Sequence, residues 1–120
     1  MPVAIKRIYE DYDEKDGVRV LVDRVWPRGM SKESAKVDEW IKEVGPTSEL
    51  RKWFGHDPEK FADFKEKYKK ELQENDEQKE ALGKLKKLTK ENNKNLTLLY
   101  GAKDTKHNQA VVLKEILDHQ

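Results

Sequence analysis

Asp23-Arg24-Val25-Trp26-Pro27-Arg28-Gly29 gathers an acid, arginines and an indole directly after the apolar run Val20-Leu21-Val22. A second polar cluster, Lys103 and Asp104 followed by Thr105, His107 and Asn108, comes after another apolar run closed by Gly101. In an open α/β sheet, ligands settle beyond the carboxyl ends of the strands. Two such clusters therefore converge if their strands are parallel neighbours, and the long helical connection between them permits this. Arg51, Trp53 and His56 lie at the end of a short predicted helix, placed to fold over the top. Guanidinium forks beside a helix N-terminus suit phosphate or carboxylate, because both present donors to a negative oxygen. The candidate ligand-binding residues are Asp23, Arg24, Trp26, Arg28, Arg51, His56, Lys103 and Asn108. If chemistry occurs, Asp104 and His107 are the acid–base pair, with His107 held neutral by the dipole at the start of the last helix.

Each of these residues also has a plainer role. Arg24 paired with Asp23 or Asp104 would simply lock a strand end to a loop. Arg28 stands in a Pro-Gly loop with less to hold, so the ligand role is favoured there. Trp26, beside Pro27, is the indole best placed to line a pocket, whereas Trp40 belongs in the core. Asp57 reads as a helix cap and Asp104 as the N-cap of the last helix. His56 is either a C-terminal cap or a second imidazole in the site. A metal is not expected: there is no His-x-x-x-His pair and no carboxylate run at ligand spacing, and the arginines oppose a cation. Gly-x-Gly-x-x-Gly and P-loop patterns are absent too, so no nucleotide cofactor is expected. The chain has no cysteine, which excludes disulfides, thiolate catalysis and cysteine-bound zinc.

The charge balance narrows the partners. Lys plus Arg number 25 against 24 for Asp plus Glu, a net +1, while proteins that coat nucleic acid by bulk charge are far more basic. One basic run, Lys84, Lys86, Lys87, Lys90 and Lys94, has helical spacing and reads first as a solvated face; a nucleic-acid or acidic-partner contact is the minority reading. No apolar run approaches membrane-spanning length, and Met1 to Lys6 has no signal-peptide character, so a soluble cytoplasmic protein is expected.

The positioning elements follow from periodicity. Hydrophobic residues make up 35% of the chain and charged residues 41%, so the helices must be one-sided around a modest core spanning residues 1–120 as one domain. Val3, Ile5 and Ile8 indicate a first strand, and Asp16-Gly17 a turn. That connection is too short for a crossover helix, so the first two strands would be antiparallel if they pair directly. Val18–Val25 is the second strand, buried on both faces. Ser31 caps a predicted helix in which Val37, Trp40, Ile41 and Val44 match the i, i+3, i+4, i+7 template, ended by Gly45-Pro46. Thr47 caps a short helix with Leu50, Trp53 and Phe54 on one side. Asp57-Pro58 opens a third, burying Phe61, Phe64, Tyr68 and Leu72. After Glu74-Asn75-Asp76, a fourth carries Ala81, Leu82, Leu85 and Leu88, weakened by Gly83. Leu96–Tyr100 is the third strand, and a last helix runs from about Thr105 towards Asp118. The pattern is an α/β fold: a small mixed sheet with helices packed over it. Three strands make it narrow, which leaves room for a missed strand or for a homodimer.

Four separated motifs carry a family resemblance. Asp23 to Gly29, Glu49 to Pro58, Leu98 to Asp104 and His107 to Ala110 occur in order and span almost the whole chain. Together they resemble the YeaO-like family, bacterial and archaeal proteins grouped as domain of unknown function 488. The resemblance implies a Rossmann-like α/β fold with a mainly parallel sheet. It implies no assigned catalytic residue, and none is carried over. Some relatives bear a winged-helix regulator label, which the strand-to-loop motifs here do not support. One departure is Gly45-Pro46-Thr47 where Ala-Pro-Ser is expected, a change that should alter a cap and not a site. The reading that results is a protein binding a small anionic, phosphate- or carboxylate-bearing ligand at the strand ends, with acid–base catalysis an open addition. The alternatives are a binding module using the lysine-rich helix, and motifs that only stabilise the fold.

Overall fold

The computed structural model describes residues 2–120. The strands are β1 (Ala4–Arg7), β2 (Val18–Leu21), β3 (Glu39–Trp40) and β4 (Leu96–Tyr100). They form one sheet in the order β1-β4-β2-β3, every pairing parallel. The fold is α/β, as the pattern indicates, but the first two strands do not pair directly, so the antiparallel arrangement does not arise. β4 enters between them, and all five of its residues are buried. The connection from β1 to β2 is a parallel crossover whose helical content is a single 3-10 turn, Glu14–Asp16, capped by Asp13. It is held down by Asp16, whose carboxylate meets Lys6 at 3.2 Å and Arg19 at 2.5 Å. The Asp16 carbonyl accepts from the Thr97 hydroxyl of β4 at 2.8 Å. Gly17 is required at its turn: φ is +68° and a Cβ would collide with the Asn95 carbonyl oxygen.

Alternation along the strands separates two cores. Val20 and Val22 with Leu96, Leu98 and Tyr100 join the larger one. It is covered by α2 (Ser48–Phe54), α3 (Phe61–Glu74), α4 (Asp76–Glu91) and α5 (Gln109–Asp118). Leu21, Leu99 and Ile8 face a smaller core with Ala35 of α1 (Lys32–Ala35), packed by Trp26, Met30 and Val37. Arg19 is buried on this side, only 1% exposed. Its guanidinium donates to the Ala35 carbonyl at 2.8 Å and the Lys36 carbonyl at 3.1 Å besides meeting Asp16.

The predicted helix from Ser31 to Val44 is the main correction. Ser31 does cap a helix, but α1 stops after four residues, where Lys36 turns left-handed at φ 46°. The chain then lies against β2: Asp38 N–H donates to the Arg19 carbonyl and Ile41 N–H to the Leu21 carbonyl. These bonds close an edge of β2 that would otherwise be open. Period-2 strand geometry then replaces the helical stripe. Ile41 is buried and Trp40 is 39% exposed, so Trp40 is not a core residue.

The other helices follow their signals. Thr47 caps α2 by accepting from Leu50 N–H at 3.2 Å, and Gly55 ends it left-handed at φ 54°. Asp57 caps a single 3-10 turn, Pro58–Lys60, that leads into α3. Asn75 caps α4. Gly83, within α4, is exposed, and a Cβ there would meet nothing within 4 Å. Gly83→Ala should therefore raise the unfolding free energy by about 0.5–1 kcal/mol, read from a urea midpoint shifted upward at unchanged slope.

Candidate functional site

Because all four strands run the same way, the segments leaving β2 and β4 emerge at the same edge of the sheet. A cavity of about 230 Å³ lies there. The strand ends supply Asp23, Arg24 and Val25 from one side and Ala102 from the other. The last turn of α2 adds Arg51 and Phe54, and His56 follows it. Phe64 of α3, Pro46, and the segment His107, Asn108 and Gln109 complete the lining.

Asp23 joins the two strand ends. Its carboxylate accepts from Gly101 N–H at 2.9 Å and from the Gln109 side-chain amide. Gly101 allows that approach, since a Cβ would sit 3.2 Å from the Asp23 Oδ2. Burial raises the Asp23 carboxyl above the usual carboxylate range of 3.8; the bonds from Gly101 and Gln109 and the Arg51 charge oppose that rise without cancelling it. A carboxyl whose folded value is raised favours folding while protonated and loses that contribution as pH climbs from 3.8 through the folded value. Asp23→Asn should thus be at least as stable as the parent at pH 7, with the advantage shrinking towards pH 4, measured by thermal melts across that window. A large loss of stability at pH 7 would refute this account of Asp23.

Arg24 pairs with neither Asp23 nor Asp104. Its guanidinium donates to the Gly45 carbonyl at 3.1 Å and the Glu43 carbonyl at 3.4 Å, tying the strand end to the turn before α2. That turn is itself held by Glu71, which accepts from Thr47 N–H and hydroxyl at 3.1 and 2.6 Å. The Gly45 departure does reach the site, contrary to expectation: a Cβ there would lie 3.0 Å from Arg24 Cγ. Arg51 is different. It is exposed at the cavity mouth, and its guanidinium has no hydrogen bond or ion pair among the described residues. His56 lies beside it in a left-handed conformation, φ 57°, its ring 6.4 Å from that of Phe54.

His107 Nδ1 meets Asp104 Oδ2 at 2.9 Å, and the imidazole stands edge-on to Phe61 with centroids 5.3 Å apart. Asp104 also accepts from the N–H groups of Lys106 and His107 at 2.9 and 3.0 Å. Its carboxyl falls below the usual range, first through the Lys106 N–H and then through the His107 side chain. These bonds form a turn, not a helix start. The helix begins later than expected, at Gln109, with Asn108 as N-cap accepting from Val111 N–H at 3.1 Å. His107 precedes the cap, so it lies outside the helix's first turn, where the dipole argument had placed it.

The cavity thus gathers Asp23, Arg24, Arg51, His56, His107 and Asn108, with Asp104 behind His107. Lys103 is exposed and outside it. Trp26 and Arg28 also lie outside. The Trp26 indole donates to the Met30 carbonyl at 2.7 Å and packs edge-on against Trp40, which closes the loop on itself. Arg28 is exposed, its carbonyl held by the Tyr9 hydroxyl at 2.9 Å. Gln109 was not anticipated, although it belongs to the His107–Ala110 motif. Phe54 and Phe64 were anticipated only as core. Among the described residues, no group of three or more His, Asp or Glu is placed to hold a metal ion. No described helix is long and apolar enough to cross a membrane. On α4, Lys84 and Lys87 face Glu39 and Glu91 at 3.8 and 3.9 Å, while Lys94, in the turn that follows the helix, reaches the Asp118 carbonyl at 3.4 Å.

A family model described as the inactive DUF488-N3 subclade matches residues 2–120. The uncharacterized protein YeaO of Escherichia coli K12 is 41% identical over 117 residues, covering 98% of this chain and 97% of its own. The uncharacterized protein Rv3073c of Mycobacterium tuberculosis H37Rv is 47% identical over 87 residues, 72% of this chain and 70% of its own. No solved structure matches.

Proposed function

The chain belongs to the inactive DUF488-N3 subclade of the YeaO-like proteins, and from that premise we propose a small-ligand-binding domain that holds an anion-bearing molecule without transforming it. The observation that carries the reading is Arg51, a guanidinium with no protein partner among the described residues, at the mouth of a cavity at the strand ends. Arg24 lends positive charge to the wall, but its Nε and one terminal nitrogen are already tied to carbonyls, whereas Arg51 has every guanidinium donor unbonded among the described residues. Arg51 is therefore the anchor, available for two parallel bonds to a carboxylate or phosphate. At about 230 Å³ the cavity is smaller than the roughly 300–1,000 Å³ typical of sites for drug-sized ligands, which points to a metabolite-sized molecule.

Arg51→Met tests this. Affinity for inorganic phosphate or acetate, followed by amide chemical shifts, should fall about tenfold or more, as expected for loss of a charge-assisted bond. The melting temperature should hold, since the side chain is exposed and makes no hydrogen bond or ion pair among the described residues. Unchanged affinity, or shifts centred away from the cavity, would refute the reading. A catalytic reading draws on the 2.9 Å contact between His107 and Asp104 beside the cavity. It makes His107 Nε2 the proton carrier, and it is the weaker of the two given the family description.

A further inference from the structure

The cavity has two chemically unlike ends. Towards the sheet, Asp23 places a carboxylate in the wall with no Lys, Arg or His in ion-pair contact among the described residues. Its two bonds come from neutral groups, Gly101 N–H and the Gln109 amide, and each carboxylate oxygen keeps further acceptor capacity. Gln109 Oε1, on the same amide, also has no partner among the described residues. Towards solvent stand Arg51 and His56, with no carboxylate paired to either. Arg51 influences Asp23 only through space. They sit on different elements, the end of α2 and the end of β2, and Phe54 and Phe64 wall the interval with aromatic surface.

An anion on Arg51 alone would bring a second negative charge towards an acid that burial already penalises. A phosphate ester would bring more of it, and a sugar hydroxyl could donate to Asp23 without neutralising anything. An ammonium neutralises the charge, and its three donors match the spare acceptors of Asp23 and Gln109 Oε1. We propose that the ligand is a small zwitterion of the amino-acid class, its ammonium on Asp23 and Gln109 and its carboxylate on Arg51, with the intervening carbons against Phe54 and Phe64. This rests on the reading of Arg51 as anion anchor.

The experiment compares matched probes by amide shifts and calorimetry: glycine, β-alanine and 4-aminobutanoate against acetate, propanoate and butanoate, with inorganic phosphate as a third arm. At least one aminocarboxylate should bind about tenfold or more tightly than its deaminated counterpart. Asp23→Asn should erase that ratio while leaving carboxylate affinity intact or improved, and Gln109→Leu should reduce it. Arg51→Met should weaken both members of the pair. If deaminated acids or phosphate bind as well as every aminocarboxylate, the zwitterion inference fails and the Arg51 anchor stands. If Arg51→Met leaves carboxylate affinity unchanged, or if no probe binds, the anchor reading fails with it. Thermal melts of each variant confirm that lost binding is not lost folding.

Discussion

Arg19→Met should lower the unfolding free energy by about 3–5 kcal/mol, the cost of removing one partner from a buried charge pair. Sequence position alone makes this a strand residue flanked by valines, and nothing marks it as a keystone. In the fold it anchors the smaller core, joining Asp16 at the crossover to the Ala35 and Lys36 carbonyls at the end of α1. Methionine fills part of the volume but supplies no donor, so two carbonyls lose their partner and the Asp16 carboxylate is left with Lys6 and the Asp13 N–H alone. Asp16 gives a second readout. Burial pushes its carboxyl up, but the Asp13 N–H, Lys6 and Arg19 outweigh that and hold it below 3.8. A lowered folded value contributes stability that is present above 3.8 and lost as pH falls through the folded value. Without Arg19 the lowering is smaller, so the variant's stability should fall less steeply with acid in that window. Urea titrations at pH 7 and on the acid side of 3.8 measure both effects. A loss under about 1 kcal/mol at pH 7 would place Arg19 among ordinary surface ion pairs.

Phe64→Ala should cost a similar amount, about 3–5 kcal/mol, for a different reason. Phe64 is 1% exposed and stacks on Phe54 at 4.3 Å and on Tyr68 at 5.6 Å. Truncation removes those contacts and leaves a void that α3, tied to the turn before α2 through Tyr68 and Glu71, closes only in part. Domains of this size are stable by only about 5–15 kcal/mol, so the variant should unfold at markedly lower urea. Phe64→Leu should recover most of the loss. Because Phe64 also lines the cavity at the strand ends, the Ala variant should enlarge it, and the Leu variant separates that effect from instability. Equal urea midpoints for Ala and Leu would show that the void closes after all.

Much of this arrangement is readable in the sequence. The mostly apolar run Leu96–Tyr100 indicates a strand, and a strand forms there with all five residues buried, although its central place in the sheet is not written in the run itself. The Asp57-Pro58 start and the Thr47 cap are local chemistry, so they survive in the fold. β3 was hidden because Val37, Trp40, Ile41 and Val44 fit a helical stripe. The competing term is tertiary: open carbonyls on β2 reward an extended chain beside them, and no local pattern reports that. Of the residues that line the cavity, Asp23, Arg51 and His107 are legible in the sequence as candidates through their charge. Phe54, Phe64 and Gln109 are not, because their side chains look like core or helix surface until the fold gives them a cavity to face. Arg28 shows the reverse error: its loop turns away at Gly29, φ +74°, and carries the guanidinium out to solvent.

The central position of β4 has a consequence for how the protein is made. β1 pairs only with β4, and β2 meets the rest of the sheet through β4 and a two-residue edge. During translation the first strand therefore waits for residues 96–100, roughly 5–20 s at ~5–20 residues per second. Until then Val3, Ile5 and Ile8 have no sheet partner, and the chain is a set of amphipathic helices without their common floor. Closure then comes late and almost at once, and ribosome-bound chains stopped before Leu96 should be far more open to protease than the released full chain.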